Sequence, residues 1–182
     1  TATVLHPIPM GILVSTSMGM ILTAPISSAA LAISMQMSGL AAGAATVGCS
    51  TQMIGFAVAS YRENKVGGLI AQGLGTSMLQ VPNIIRKPQI WIPPTLASAI
   101  LGPLSTTILK MESNPIGAGM GTSGLVGQFA VWATMEGTIP TWILLTEILM
   151  MHFILPALLT LLISEFMRKK GWLKYGDMEL QL

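Results

Sequence analysis

No Asp, Glu, Lys or Arg occurs in this chain before Arg62. A soluble fold has no use for 61 consecutive residues without a formal charge, and the run is long enough for at least two membrane spans of ~20 residues each. The rest of the composition agrees. Only 9% of the 182 residues are charged, and mean hydropathy is +0.69. Aromatics make up 5%, against 19 Gly and 14 Met, a mixture suited to close helix packing through small residues. The expected class is therefore an all-α polytopic membrane protein. Thr1 opens the chain without an initiator Met, and no charged n-region with a cleavage site follows, so the sequence reads as a fragment of a longer membrane domain.

The apolar segments and their breaks set the expected threading. A first span from about Met10 to Ser34 carries a kink at Pro25, and a second runs from about Gly39 to Tyr61, with Gly39 and Gly43 spaced to admit a close neighbour. Val66 to Val81 is short for a span and contains four glycines with Gln72 and Gln80, so residues 66–82 read as an interfacial or re-entrant helix. Ile90 to Leu109 forms a third span that Pro93, Pro94 and Pro103 should break or bend. Thr141 to Glu165 forms the last. Between these two, residues 112–138 hold Asn114-Pro-Ile-Gly-Ala-Gly-Met-Gly-Thr-Ser-Gly-Leu-Val-Gly-Gln128, too rich in glycine for a regular lipid-facing helix. This segment is expected to enter and leave the membrane from one side as a hairpin. About four transmembrane helices plus two re-entrant or interfacial segments then put residues 62–65, 86–87 and 168–174 on one side, as the cytoplasmic bias of Lys and Arg requires.

Irregular backbone at membrane depth is tolerated where it is buried in protein or lines a wet cavity, which makes the glycine segment the first candidate for a binding site. Its candidate residues are Asn114, Gly119, Gly121, Thr122, Ser123 and Gln128, with Glu136 just beyond. Gly119, Gly121 and Gly124 match a dinucleotide-loop spacing, but no βαβ context surrounds them. The alternative is a packing turn where helices cross. Glu147 and His152 lie inside the last span and need partners from elsewhere, because five positions place them ~140° apart on a helix. A solvated carboxylate and a packing histidine are the plainer readings. His6, in His-Pro-Ile-Pro, is read as structural, and the single Cys49 as buried packing. Two histidines and one cysteine assemble no nucleophilic triad or zinc site, so no cofactor and no autonomous catalysis are expected, and nothing points to nucleic acid.

Three strings, Gly73-Leu-Gly-Thr-Ser-Met-Leu-Gln-Val-Pro-Asn83, Ile90-Trp-Ile-Pro-Pro94 and Asn114 through Gln128, resemble the membrane-embedded IIC component (EIIC) of the bacterial sugar phosphotransferase system. The branch they most resemble includes toxin-regulator membrane proteins similar to the perfringolysin regulator. The resemblance runs from about Gly11 to Phe166 and implies the C-terminal half of a larger EIIC-like fold. It further implies a multi-pass homodimer in the bacterial inner (cytoplasmic) membrane, which binds a sugar and presents it to a phosphorylated cytoplasmic IIB partner. The phosphoryl donor would belong to that partner. By the same resemblance a re-entrant hairpin, with a buried Glu and His, contacts the sugar hydroxyls. A membrane sensor or regulator using this fold without transport is the alternative function, and a purely structural scaffold leaves Glu147 and His152 without a task.

Overall fold

The computed structural model describes residues 2–182, and these are helical with no strands. After a single turn at Ala2–Leu5, the chain forms α1 (Pro7–Thr23), α2 (Ser28–Ser34) and α3 (Gly39–Ala59). It continues through α4 (Tyr61–Ile70), α5 (Val81–Arg86) and α6 (Pro88–Leu109). The last elements are α7 (Pro115–Met120), α8 (Val126–Met135) and α9 (Thr141–Lys169). Helices α3, α6 and α9 are long and apolar enough to cross a membrane, and α1 is a shorter apolar helix of 17 residues.

The first expected span is in fact two antiparallel pieces. Ser15 donates to the Ser98 carbonyl at 2.8 Å and packs on Gly48, and Thr23 donates to Gln52 Oε1 at 3.2 Å, so α1 and α3 run parallel. Parallel neighbours in sequence need a return between them, and α2 is that return. Pro25 offers no amide, Ala24 turns extended (φ −67°, ψ 158°), and Ser27 caps the new helix by accepting from the Ala30 amide at 3.2 Å. Where a kink is expected at Pro25, the chain reverses.

The three prolines of α6 act differently from expectation as well. Pro93 and Pro94 fall in the first helical turn after Pro88–Trp91, where the missing amides have no partner to lose, and the helix continues through them. Only Pro103 is internal, and the helix ends in a widened turn, Ser105–Leu109, closed by Lys110 at φ 48°. In α9 a second widened turn, Met150–Ile154, precedes Pro156, whose ring nitrogen cannot bond the carbonyl four residues back.

Glycines set the close crossings, although not through the Gly39/Gly43 pair. A Cβ on Gly48 would overlap the Ser15 carbonyl, and one on Gly102 would overlap Gly11, which locks α1 between α3 and α6. Gly43 admits the Met111 backbone of a connecting loop, and Gly39 starts α3 with open space around it. One apolar cluster joins Met18, Ala32, Ala45, Met53 and Ala118 around Cys49, which is fully buried as expected, and a second joins Leu101, Val131, Leu144 and Met151.

The three basic clusters meet at one end. Arg62 pairs with Glu165 at 3.0 Å, Arg168 with Glu63 at 2.8 Å, and Lys87 with Asp177 at 2.6 Å. Partial burial alone would push the Asp177 carboxyl up, but the Lys87 ammonium, the Lys174 amide and the charge of Arg168 together hold it below the usual carboxylate range. Residues 177–180 lie across α4 and α5 as a strap: the Met178 carbonyl accepts from Asn64 and Gln80, and the Glu179 carbonyl from Asn83.

Candidate functional site

Two hairpins approach the middle of α3 from opposite ends. The first starts at the basic end, where α4 doubles back along α3: Gln72 Nε2 donates to Ser60 Oγ at 2.9 Å, and Gly73 lies against Ala57 and Ile54. A widened turn, Ala71–Gly75, ends in Thr76, extended at φ −156° and ψ 140°. The chain then returns through Ser77–Gln80 and α5 to Lys87. The segment expected as one short helix over 66–82 is thus two limbs with a tip at Gly75–Ser77. The tip is anchored, since Ser77 Oγ shares a 2.8 Å hydrogen bond with Thr23 Oγ1.

The glycine segment forms the second hairpin from the other end. Its entry lies beside the start of α3, where the Ser113 amide donates to the Gly39 carbonyl at 3.3 Å. Asn114 Oδ1 accepts from the Ile116 and Gly117 amides at 3.1 and 3.0 Å and so starts α7. The turn follows at Gly121, φ 55° and ψ −128°, where a Cβ would come within 2.8 Å of Cys49 and Ser50; only glycine fits both the dihedrals and the space. Helix α8 leads back out to Glu136, which is exposed.

The tips touch. Thr122, fully buried, donates to the Gly73 carbonyl at 2.6 Å, and that carbonyl is available because it belongs to the widened turn. The α1–α2 reversal completes the meeting point, as Ser28 Oγ donates to the Gly119 carbonyl at 2.6 Å. Between the three turns lies a cavity of about 170 Å³. Its polar lining is Ser27, Ser28, Thr76 and Ser123, with the backbone at Gly75 and Gly119; Leu22, Ile26, Met53, Met78 and Met120 supply apolar surface. Ser27 and Thr76 use their oxygens as acceptors from Ala30 and Met78 amides, which leaves both hydroxyl protons free to donate, and Ser123 is unengaged. No lining residue is ionisable. Such a surface can hold and orient a small uncharged polyol, hydroxyls against the Ser and Thr side chains and C–H faces against the thioethers, and none of its lining side chains is a base that would activate a hydroxyl.

Of the residues singled out in the sequence, Gly119 and Ser123 line this cavity, Gly121 shapes the tip and Thr122 ties it to the other hairpin. Gln128 and His152 come together elsewhere: Gln128 Nε2 and His152 Nδ1 are 2.9 Å apart, with Ser50 Oγ 3.4 Å from the same amide. Gln128 Oε1 and His152 Nε2 are buried without partners. Glu147, with one buried carboxylate oxygen unpartnered, faces a different groove beside Leu104, Ile108 and Met151. Asn114 and Glu136 do not reach the cavity.

Sequence reasoning missed Ser27, Ser28, Thr76 and Gln52. Ser27, two residues after a proline, has the helix-start signature, but the apolar run on both sides hid it. Gln52, an amide in the middle of an uncharged helix, accepts from Thr23 and from Trp91 Nε1 (3.1 Å) and donates to Thr95 (3.1 Å), holding the first hairpin's anchor to α6. Among the described residues no group of His, Cys, Asp and Glu could hold a metal ion.

A family model described as phosphotransferase system, EIIC, matches residues 1–180. No curated protein and no solved structure matches the chain.

Proposed function

Since the chain belongs to the EIIC family, the membrane component of the phosphotransferase system for sugar transport, we propose that its sugar is held in the cavity where the two hairpin tips meet the α1–α2 reversal. The observation that carries this reading is the lining itself: four hydroxyl side chains, three of them with donors to spare, in a cavity without charge. Its size, below the ~300 Å³ of the smallest drug-sized pockets, suits one small ring. Both hairpins are read as re-entrant, with their tips at membrane depth, because a cavity lined by protein is where broken helices are tolerated in a bilayer. Phe129, Trp142 and Leu162, each about two-thirds or more exposed, form part of the lipid-facing surface.

The basic end is assigned to the cytoplasm, the membrane is the bacterial inner membrane, and a homodimer is the assembly. A phosphorylated IIB partner would deliver the phosphoryl group there, the cavity lining having no His, Cys, Asp or Glu to carry one to the sugar. The buried Gln128–His152 pair and, in a separate groove, Glu147 are assigned to contacts with the solute in another state of the hairpins. The test is calorimetric titration of the folded protein in detergent with a panel of neutral hexoses and hexitols. At least one should bind, and Ser123→Ala should weaken it by roughly two- to tenfold, the loss of one neutral hydrogen bond, with an unchanged melting temperature. Sugar phosphate should form only when a phosphorylated IIB domain is added. Binding unaffected by Ser123→Ala, Ser28→Ala and Thr76→Val alike would remove the cavity from consideration.

A further inference from the structure

A second opening borders the same hairpin tip. Between α5 and residues 179–182 lies a groove of about 340 Å³ at the basic end, with Asn83, Arg86, Glu179 and Gln181 in its walls. Met78 lines this groove and also lines the central cavity. It is the one residue common to both.

We propose that Met78 is the gate through which the central cavity opens to this groove, and that the groove is the solute's passage to the basic end. The backbone on either side of Met78 is pinned. Ser77 is bonded to Thr23, Thr76 accepts from the Met78 amide at 3.1 Å, and Gln80 is bonded to Gln72 at 2.8 Å and to the Met178 carbonyl at 3.0 Å. The side chain is not pinned: it is 36% exposed, and an unbranched thioether with three rotatable bonds can swing while the main chain stays in place. The cavity is already open on the side of Ile26, Ser27 and Gly75, and Met78 stands on its side toward the groove, where one mobile side chain on a fixed turn sets the width of the way between them. Beyond it the groove turns polar and charged, a fitting surface for a solute leaving toward water. That the traveller is a sugar rests on the function proposed above; the passage itself does not.

The experiment reads aqueous access without any sugar. Full-length protein carrying Cys49→Ser and Ser123→Cys is reconstituted in lipid vesicles and labelled with a small impermeant thiol-reactive cation. A Lys170→Cys reference identifies the face that corresponds to the basic end. From that face, Met78→Trp should slow labelling of the cavity cysteine by roughly tenfold, and Met78→Ala should speed it several-fold. Melting curves accompany each variant, and if Met78→Trp does not fold, Met78→Ala alone still decides. Equal rates with Met and Ala at position 78, or no labelling from that face in Met78→Ala, would overturn the gate. Should hexose binding fail while the labelling pattern holds, the sugar reading falls and the passage stands.

Discussion

The basic end and the hairpin tips are both rich in uncharged polar side chains, yet they treat them in opposite ways. At the basic end the amides of Asn64, Gln72, Gln80 and Asn83 are each used against protein: Gln72 on Ser60, Gln80 on Gln72, Asn83 on Gln80, and Asn64 on both sides of the strap. At the tips the hydroxyls of Ser27, Thr76 and Ser123 keep unused donors toward a cavity. A saturated network rigidifies, while spare capacity beside a cavity can be given to a solute. The two regions differ in whether polar capacity is spent or spare more clearly than in residue type, since both use uncharged polar side chains.

The largest effect should come from breaking the fastening. Glu63 is fully buried at its side chain and Arg168 nearly so, and Glu63 Oε1 also accepts from the Gly176 amide at 3.3 Å. Arg168→Ala leaves a carboxylate buried without its partner and should cost about 3 to 5 kcal/mol in unfolding measured in mixed micelles. Removing both charges, with Glu63→Gln and Arg168→Met, should recover much of that loss. A single variant that loses under about 1 kcal/mol would show the pair to be solvated, and the contrast between the two ends would collapse.

A smaller effect sharpens the other side. Gly121→Ala combines a backbone conformation disfavoured for L side chains with a Cβ crowded against Cys49 and Ser50. It should cost about 1 to 3 kcal/mol and, because the tip carries Thr122 and Ser123, it should weaken hexose binding by more than its stability loss predicts. Gly124→Ala is the control, at a similar φ of 55° but with space around it. Equal binding losses in both variants would mean that strain, rather than the contact with α3, positions the tip.

Much of this was legible from residue order. Apolar length marks α3, α6 and α9 as helices able to cross a membrane, the part of the fold that residue order carries most directly. The reversal at Pro25 was not legible, because both limbs are apolar and a proline within a membrane helix can equally kink it. Asn114 shows why site residues are harder. A helix start and a solute ask for the same short polar side chain, and only the structure shows that its oxygen is spent on the Ile116 and Gly117 amides. The cavity's other hydroxyls come from Ser27, Ser28 and Thr76, each distant in sequence from Ser123, and only the meeting of three turns brings them together.

The smallest expected effect concerns the strap that closes the fastened end. Lys87 and Asp177 form a half-buried ion pair, and Asp177 Oδ2 also accepts from the Lys174 amide at 2.6 Å. Because these partners hold the Asp177 carboxyl below its ordinary value, the folded state binds its proton less readily than the unfolded chain does. The stabilisation is therefore fully present above the ordinary carboxylate pKa of ~3.9 and is lost as pH falls through the depressed folded-state value. Asp177→Asn removes the charge at every pH. Its melting temperature should lie below that of the parent protein by no more than about 4 °C at neutral pH, since a pair of this exposure contributes ~0 to 1 kcal/mol. The gap should stay constant down to about pH 5 and close as acid protonates the parent. A gap that persists unchanged at pH 3 would mean that the Asn side chain disturbs the turn by shape, and that charge at Asp177 does not fasten the strap. Hexose affinity at neutral pH should be the same in both proteins, because the strap's bonds end on Asn64, Gln80 and Asn83 and the cavity's hydroxyls lie at the tips; a shared loss would show that the two ends act as one body.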